Sequence, residues 1–217
     1  MKNDKLSYHD FIKLSSQASS KIGAIPYGQK LYGFIQGLFK EHGNAGSTVL
    51  DYGCGTDKYL KKIINIQDKN YFTCDNDTSG SFNYTNAHQI PADVKFDFIF
   101  ATNVFEHMEF SECVDTAIEL GKHIADQGIF FISVPNPLHP TRQNSDPTHK
   151  TALNCGHLYA LFLLADLKPI YCARCNKKPM PRWWQRPIIN MACRVFRMDW
   201  CDGIYAVAKG DGAATFF

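Results

Sequence analysis

One stretch, TVLDYGCGTDKY from Thr48 to Tyr59, restricts the fold of this chain more than any other. An apolar run (Thr48, Val49, Leu50) ends at Asp51, glycines follow at Gly53 and Gly55, and a helix-like segment begins near Lys58. The order is strand, tight glycine loop, helix. Glycine is required where a backbone turns sharply after a parallel strand and lets a ligand reach its amides, because a Cβ would block both. A nucleotide-like ligand suits such a loop. The dinucleotide fingerprint needs a third glycine at position 58, where this chain has Lys58, which counts against a nicotinamide or flavin enzyme.

The segments that follow fall in the order of a doubly wound α/β protein. Tyr71 to Cys74 reads as a second strand ending at Asp75, and 75 − 53 = 22 places this carboxylate where it can accept both hydroxyls of a ribose. Asp77 is a weaker candidate. Phe96 to Thr102 is continuously apolar, as a strand buried on both faces should be, and reads as the fourth; Gly128 to Val134 reads as the fifth. A helix is expected over Cys155 to Leu167, a sixth strand over Leu167 to Arg174, and a last strand over Gly203 to Lys209. A leading helix from Tyr27 to His42 carries apolar residues at 3–4 spacing (Leu31, Phe34, Ile35, Leu38, Phe39) and is expected to pack on the sheet edge, with Tyr8 and Tyr27 expected in the core or over a bound ligand. A chain of 217 residues that is 45% hydrophobic can bury one sizeable core, and no repeat is visible. The organisation expected is one domain over 1–217, with a helical cap (1–44), a ligand-binding core (45–175), and an insert with the final strand (176–217).

The Asp51-Tyr52-Gly53-Cys54-Gly55 stretch resembles motif I of class I methyltransferases that use S-adenosylmethionine (SAM), with Asp57 where that family usually has its last glycine. Asn86-Ala87-His88-Gln89-Ile90-Pro91 is similar to the family's Asp-Ala-x-x-Leu-Pro segment, in which the first residue contacts the adenine amino group. The resemblance covers about residues 45–175. It implies a Rossmann-like, seven-stranded, mostly parallel sheet with helices on both faces and the last strand antiparallel. It also implies cofactor contacts from Asp51, Gly53, Cys54, Gly55, Asp75, Asn76, Asn86, Ala87 and Asn103.

Chemistry is expected beyond the carboxyl ends of the strands, where open α/β sheets bind ligands. The fourth strand ends in Asn103-Val104-Phe105-Glu106-His107-Met108, and a helix starting there would put Asn103, Glu106 and His107 on one face. The proline-rich loop Pro135 to Asn154 brings His139, Asp146 and His149 to the same rim. Two mechanisms fit. Glu106, His107 and His149 would bind Mg2+ or Mn2+ and acidify an acceptor hydroxyl, an arrangement that resembles the Glu-x-x-Glu-His plus downstream His pattern of metal-dependent O-methyltransferases, with Asn103 in place of the first Glu. Alternatively His149, oriented by Asp146, acts as general base. The acceptor expected is a small molecule, a sugar or a lipid-linked group. Metal-dependent 2′-O-methylation of RNA 3′ ends and a non-catalytic SAM-binding or regulatory module are the alternatives.

The formal charge of +2 gives little support to a nucleic-acid partner. No apolar run approaches the roughly 20 residues needed to cross a bilayer, and MKNDKLSYHD lacks a signal-peptide core, so a cytoplasmic location is expected. Disulfides are not expected there, and Cys172-Ala-Arg-Cys175 reads as a strand with incidental cysteines rather than half of a zinc site. Lys177 to Trp200 mixes cations with aromatics, which fits peripheral contact with a membrane surface or an ordinary insert.

Overall fold

Alternation of large apolar side chains along the strands builds this molecule around two layers of core. The computed structural model describes residues 8–22, 25–26, 30–176 and 184–210. Its strands are β1 (Val49–Tyr52), β2 (Tyr71–Cys74), β3 (Phe96–Thr102), β4 (Ile124–Pro135), β5 (Lys168–Cys175) and β6 (Gly203–Lys209); its helices are α1 (Tyr8–Ile22), α2 (Leu31–His42), α3 (Tyr59–Ile64), α4 (Phe110–Gly121), α5 (Cys155–Leu164) and α6 (Arg186–Phe196). The sheet runs β2-β1-β3-β4-β6-β5. β1 pairs in parallel with β2 and β3, and β3 with β4, while β6 lies antiparallel between β4 and β5.

Successive side chains on a strand face opposite ways, so Ile99, Phe130 and Ile132 enter one layer with Phe11 of α1 and Leu158 and Phe162 of α5, whereas Phe98, Phe100 and Phe131 enter the other with Leu31 and Ile35 of α2. Helices therefore cover both faces, and β1 and β3 are nearly continuous apolar runs. Apolar residues not credited with an element of their own at the N-terminus form α1, whose Phe11 packs edge-to-face on Phe110 at the start of α4.

Three expectations need correction. The described residues hold six strands rather than seven: between Cys74 and Phe96 the chain is polar and turn-rich, and its sheet pairing is an isolated parallel bridge, Cys74 with Tyr84. The helix expected at Asn103 does not form there. Asn103 adopts a left-handed φ of 55°, Phe105–His107 makes a 3₁₀ turn, and α4 begins only at Phe110 behind a Glu109/Glu112 capping box. A disulfide, contrary to expectation, joins Cys155 at the start of α5 to Cys172 in β5. Cys172 and Cys175 stand three residues apart on one strand, so they enter opposite core layers and cannot share a metal. Tyr27, the side chain of Tyr8 and residues 177–183 lie outside the described residues.

Candidate active site

The glycine loop after β1 is shaped by backbone contacts. Gly53 has φ +72°, and a Cβ there would lie 2.2 Å from Cγ2 of Val104, so no other residue fits without moving that chain. Its amide donates to the Cys74 carbonyl at 2.7 Å, tying the loop to the end of β2. The Gly55 amide donates to Oδ2 of Asp75 at 2.7 Å, and the Asp77 amide donates to Oδ1 at 3.0 Å. Each carboxylate oxygen of Asp75 is thus fixed by one amide and keeps lone-pair capacity for a ligand hydroxyl. Asp77 is turned to its own local turn, accepting from the Ser79 amide at 2.8 Å.

Beside this loop opens a cavity of 590 Å³, within the range of small-molecule sites. Gly53, Asp75, Asn76, Asn86 and Asn103 line it, joined by Tyr52, Thr85, Val104, His107 and Met108. Asp51 and Ala87 are buried and do not line it. Asp51 accepts a hydrogen bond from the Tyr71 hydroxyl; its burial, opposed by that bond and assisted by the nearby Asp75, raises its pKa to about 7. Cys54 is partly buried, and burial, with Asp51 and Asp75 close by, pushes its thiol up to about 12, so it is protonated and inert at neutral pH.

A second cavity, of 230 Å³, adjoins the first and shares Asn103 and His107 with it. Glu106, Asp146, His149 and Arg142 complete much of its wall. The Glu106 carboxylate and one ring nitrogen each from His107 and His149 lie within 4.8 Å of one another. Glu106 is 1% exposed, and its backbone carbonyl accepts from the Lys150 and Thr151 amides at 2.7 and 3.1 Å, which pins the loop carrying His149 onto the 3₁₀ turn.

Hydrogen bonding fixes both imidazole tautomers. Nδ1 of His149 lies 2.9 Å from the Gln143 carbonyl, which can only accept, so Nδ1 carries the proton. The Thr148 hydroxyl donates its single proton to Asp146 Oδ1 at 2.6 Å and must accept from Nδ1 of His107 at 2.8 Å. In their neutral forms both rings therefore keep an Nε2 lone pair, and the rings meet edge-to-face with centroids 4.9 Å apart. Asp146 does not orient His149 as the sequence suggested: its Oδ2 is 4.0 Å from Nε2, beyond hydrogen-bond length. The Thr148 hydroxyl and amide hold the Asp146 carboxyl below its usual pKa, and through Thr148 it orients His107 instead. His139 stands apart, against Trp200 with ring centroids 5.5 Å apart.

Sequence reasoning missed Thr148, Gln143 and Arg142. The first had a signal, since a Thr two residues after Asp is a turn-forming pair, and its amide does bond Asp146 Oδ1 at 2.9 Å. Gln143 acts through its carbonyl, which no residue type reveals. Arg142 lines the smaller cavity while its Nε donates to Asp202 Oδ1 at 2.6 Å.

A family model described as a methyltransferase domain matches residues 28–186. No curated protein matches the chain. Among solved structures, a SAM-dependent methyltransferase from Archaeoglobus fulgidus is 18% identical, with 82% of this chain and 94% of that chain covered at a TM-score of 0.57. An S-adenosylmethionine-dependent methyltransferase from Clostridium acetobutylicum is 12% identical over 93% of this chain and 99% of that one, at a TM-score of 0.58. The cyclase SpnF is 14% identical, with 94% of each chain covered and a TM-score of 0.60. Likeness at this level of identity shows the fold alone, as the presence of a cyclase illustrates.

Proposed function

The chain belongs to the methyltransferase domain family, whose enzymes take a methyl group from SAM, and from that premise we propose that it methylates an oxygen of a small, sugar-containing or lipid-linked acceptor. The observation that carries the oxygen assignment is the convergence of Glu106, His107 and His149 within 4.8 Å at the wall of the smaller cavity, with His107 also lining the larger. Methyl transfer from sulfonium to nitrogen or a thiolate needs mainly alignment; a poorly acidic hydroxyl also needs a group that removes its proton.

In this reading the larger cavity takes SAM. Asp75 accepts the ribose hydroxyls with the lone pairs its two amide donors leave free, Asn86 offers its side-chain carbonyl to the adenine amino group, and Gly53 keeps the wall flat enough for close approach. SAM supplies the electrophilic methyl. The smaller cavity takes the acceptor hydroxyl beside Nε2 of His149.

The donor set fits a divalent cation. One buried carboxylate and two imidazoles with outward Nε2 lone pairs make three protein ligands, and the mixed nitrogen and oxygen set favours Mn2+ over Mg2+. Thr148 and the Gln143 carbonyl supply the outer hydrogen bonds that fix ligand tautomers. Such an ion, when bound, lowers the pKa of a hydroxyl it touches. His149 retains a second role without it, because the same Nε2 lone pair can take the proton directly.

Titration of the protein with S-adenosylhomocysteine, with and without Mn2+, tests both parts. Micromolar binding lost in Asp75→Ala supports the cofactor reading. An Mn2+ electron paramagnetic resonance signal that broadens on mixing with wild type but not with His107→Ala supports the cation. Unchanged cofactor binding in Asp75→Ala would sink the ribose assignment, and an unperturbed Mn2+ spectrum would leave His149 as the base.

A further inference from the structure

The helix α6 turns its apolar side to solvent. Ile188, Met191 and Val195 recur at spacings of three and four, which is one stripe of a helix, and they are 61%, 64% and 68% exposed, with the exposed Trp184 in the turn just before the helix. The opposite side, with Ile189 and Cys193, is the half-buried one. Phe196 and Trp200 extend the exposed apolar surface past the helix end. An 11-residue helix is marginal in water without a packed face, so a stripe left in solvent points to a surface that covers it.

Charge identifies the chemistry of that surface. From Asn176 to Met198 the chain carries Lys177, Lys178, Arg182, Arg186, Arg194 and Arg197 and no Asp or Glu. The acids that follow are engaged: Asp199 accepts from Arg174 at 3.2 Å, and Asp202 accepts from Arg142. Arg194 and Arg197 are exposed beside the stripe. No helix among the described residues is long and apolar enough to cross a membrane. A short, strongly amphipathic helix with tryptophan at its margin, cationic flanks and no acid is suited to lying in the headgroup region of an anionic bilayer.

We propose that α6 docks this protein on anionic lipid surfaces, with Ile188, Met191 and Val195 buried among the acyl chains and the flanking cations on the headgroups. The docked face adjoins the acceptor side of the molecule: the Asp199 amide donates to the Leu138 carbonyl at 3.0 Å, at the start of the loop that carries His149. Docking would hold this loop near the lipid interface. The inference stands apart from the methyl-transfer reading, since it rests on α6 and the cationic, aromatic segment around it.

The test is co-sedimentation of the full chain with vesicles of phosphatidylcholine, and of phosphatidylcholine mixed equally with phosphatidylglycerol. Binding to the anionic vesicles only is expected. It should be abolished in the Ile188→Asp, Met191→Asp double variant and weakened by roughly tenfold or more in Arg194→Ala, Arg197→Asn, with high salt acting in the same direction. Asn is chosen because Arg197 has φ 53°. S-adenosylhomocysteine affinity unchanged in both variants would show that they fold. Failure of wild type to sediment with either vesicle, or equal binding to both, overturns the proposal. So does concentration-dependent dimerisation that the Ile188→Asp, Met191→Asp variant removes without any vesicle binding, because a second copy would then be the occupant. Vesicle binding by a chain that takes no S-adenosylhomocysteine would uphold this inference and remove the cofactor reading instead.

Discussion

The two cavities that meet at Asn103 and His107 are built by opposite means. Around the larger cavity, glycine torsions and backbone amides set the wall, and Asp75 is clamped by the Gly55 and Asp77 amides. Around the smaller cavity, side chains from separate loops meet, and each is aimed by a neighbour: His149 by the Gln143 carbonyl, His107 by Thr148, Thr148 by Asp146. A wall set by backbone torsions and amides resists motion. A side-chain network fails one member at a time, so the two halves should separate cleanly under mutation.

The largest effect is expected at His149. His149→Ala should lower turnover on an identified acceptor by about 10³-fold, the usual scale for losing a proton acceptor, while S-adenosylhomocysteine affinity stays within about twofold. An equal loss in both would mean that the two cavities act as one.

Next comes Asp51, buried near the end of β1. Its pKa of about 7 in the folded chain lies above the ordinary value near 3.8, so the folded state holds this proton more tightly than the unfolded state does. Stability must then fall as pH rises from about 4 to about 7, the unfolded chain having already released the proton, by on the order of 3 kcal/mol. Asp51→Asn keeps an acceptor for the Tyr71 hydroxyl and should lose this slope. The quantity to measure is the difference between the two proteins' denaturation midpoints at pH 4.5 and 7.5, which cancels other carboxylates. A constant difference would show that Asp51 ionises freely.

Asp75→Ala should weaken S-adenosylhomocysteine by about 10²-fold, the worth of one or two hydrogen bonds to a charged acceptor. Turnover at saturating SAM should fall far less, the inverse of the His149 result. The smallest effect is expected from Thr148→Val, which frees the His107 tautomer and should cost about tenfold in turnover with Thr148→Ser restoring most of it. If Thr148→Val instead lowers cofactor affinity, His107 belongs functionally to the larger cavity it also lines.

Legibility followed the same division. Asp51, Gly53, Gly55 and Asp75 were readable because a parallel strand, its turn and the next strand are local features with fixed spacing, and β1, β2, β3 and the antiparallel β6 stand close to where the apolar runs placed them. The turn after β3 was not readable. Asn103 is compatible with a helix by composition, yet the Asn side chain tolerates the left-handed region better than most, and its φ of 55° redirects the chain into a 3₁₀ turn that buries Glu106. Among the described residues the expected seventh strand has no ladder, for a similar reason: between β2 and β3 the sequence turns polar and leaves one isolated bridge at Tyr84.

The sequence by itself determined the α/β class, the glycine loop, the position of the Asp75 carboxylate at the end of β2 and the grouping of Glu106, His107 and His149. Only the tertiary structure decided which nitrogen of each histidine is available, because Gln143 and Thr148 reach them through contacts that depend on loop path rather than on residue type. The same holds for the Cys155–Cys172 bond between α5 and β5, and for the outward face of α6: an amphipathic pattern states that one side is apolar, and the packing of the rest of the chain decides whether that side is covered.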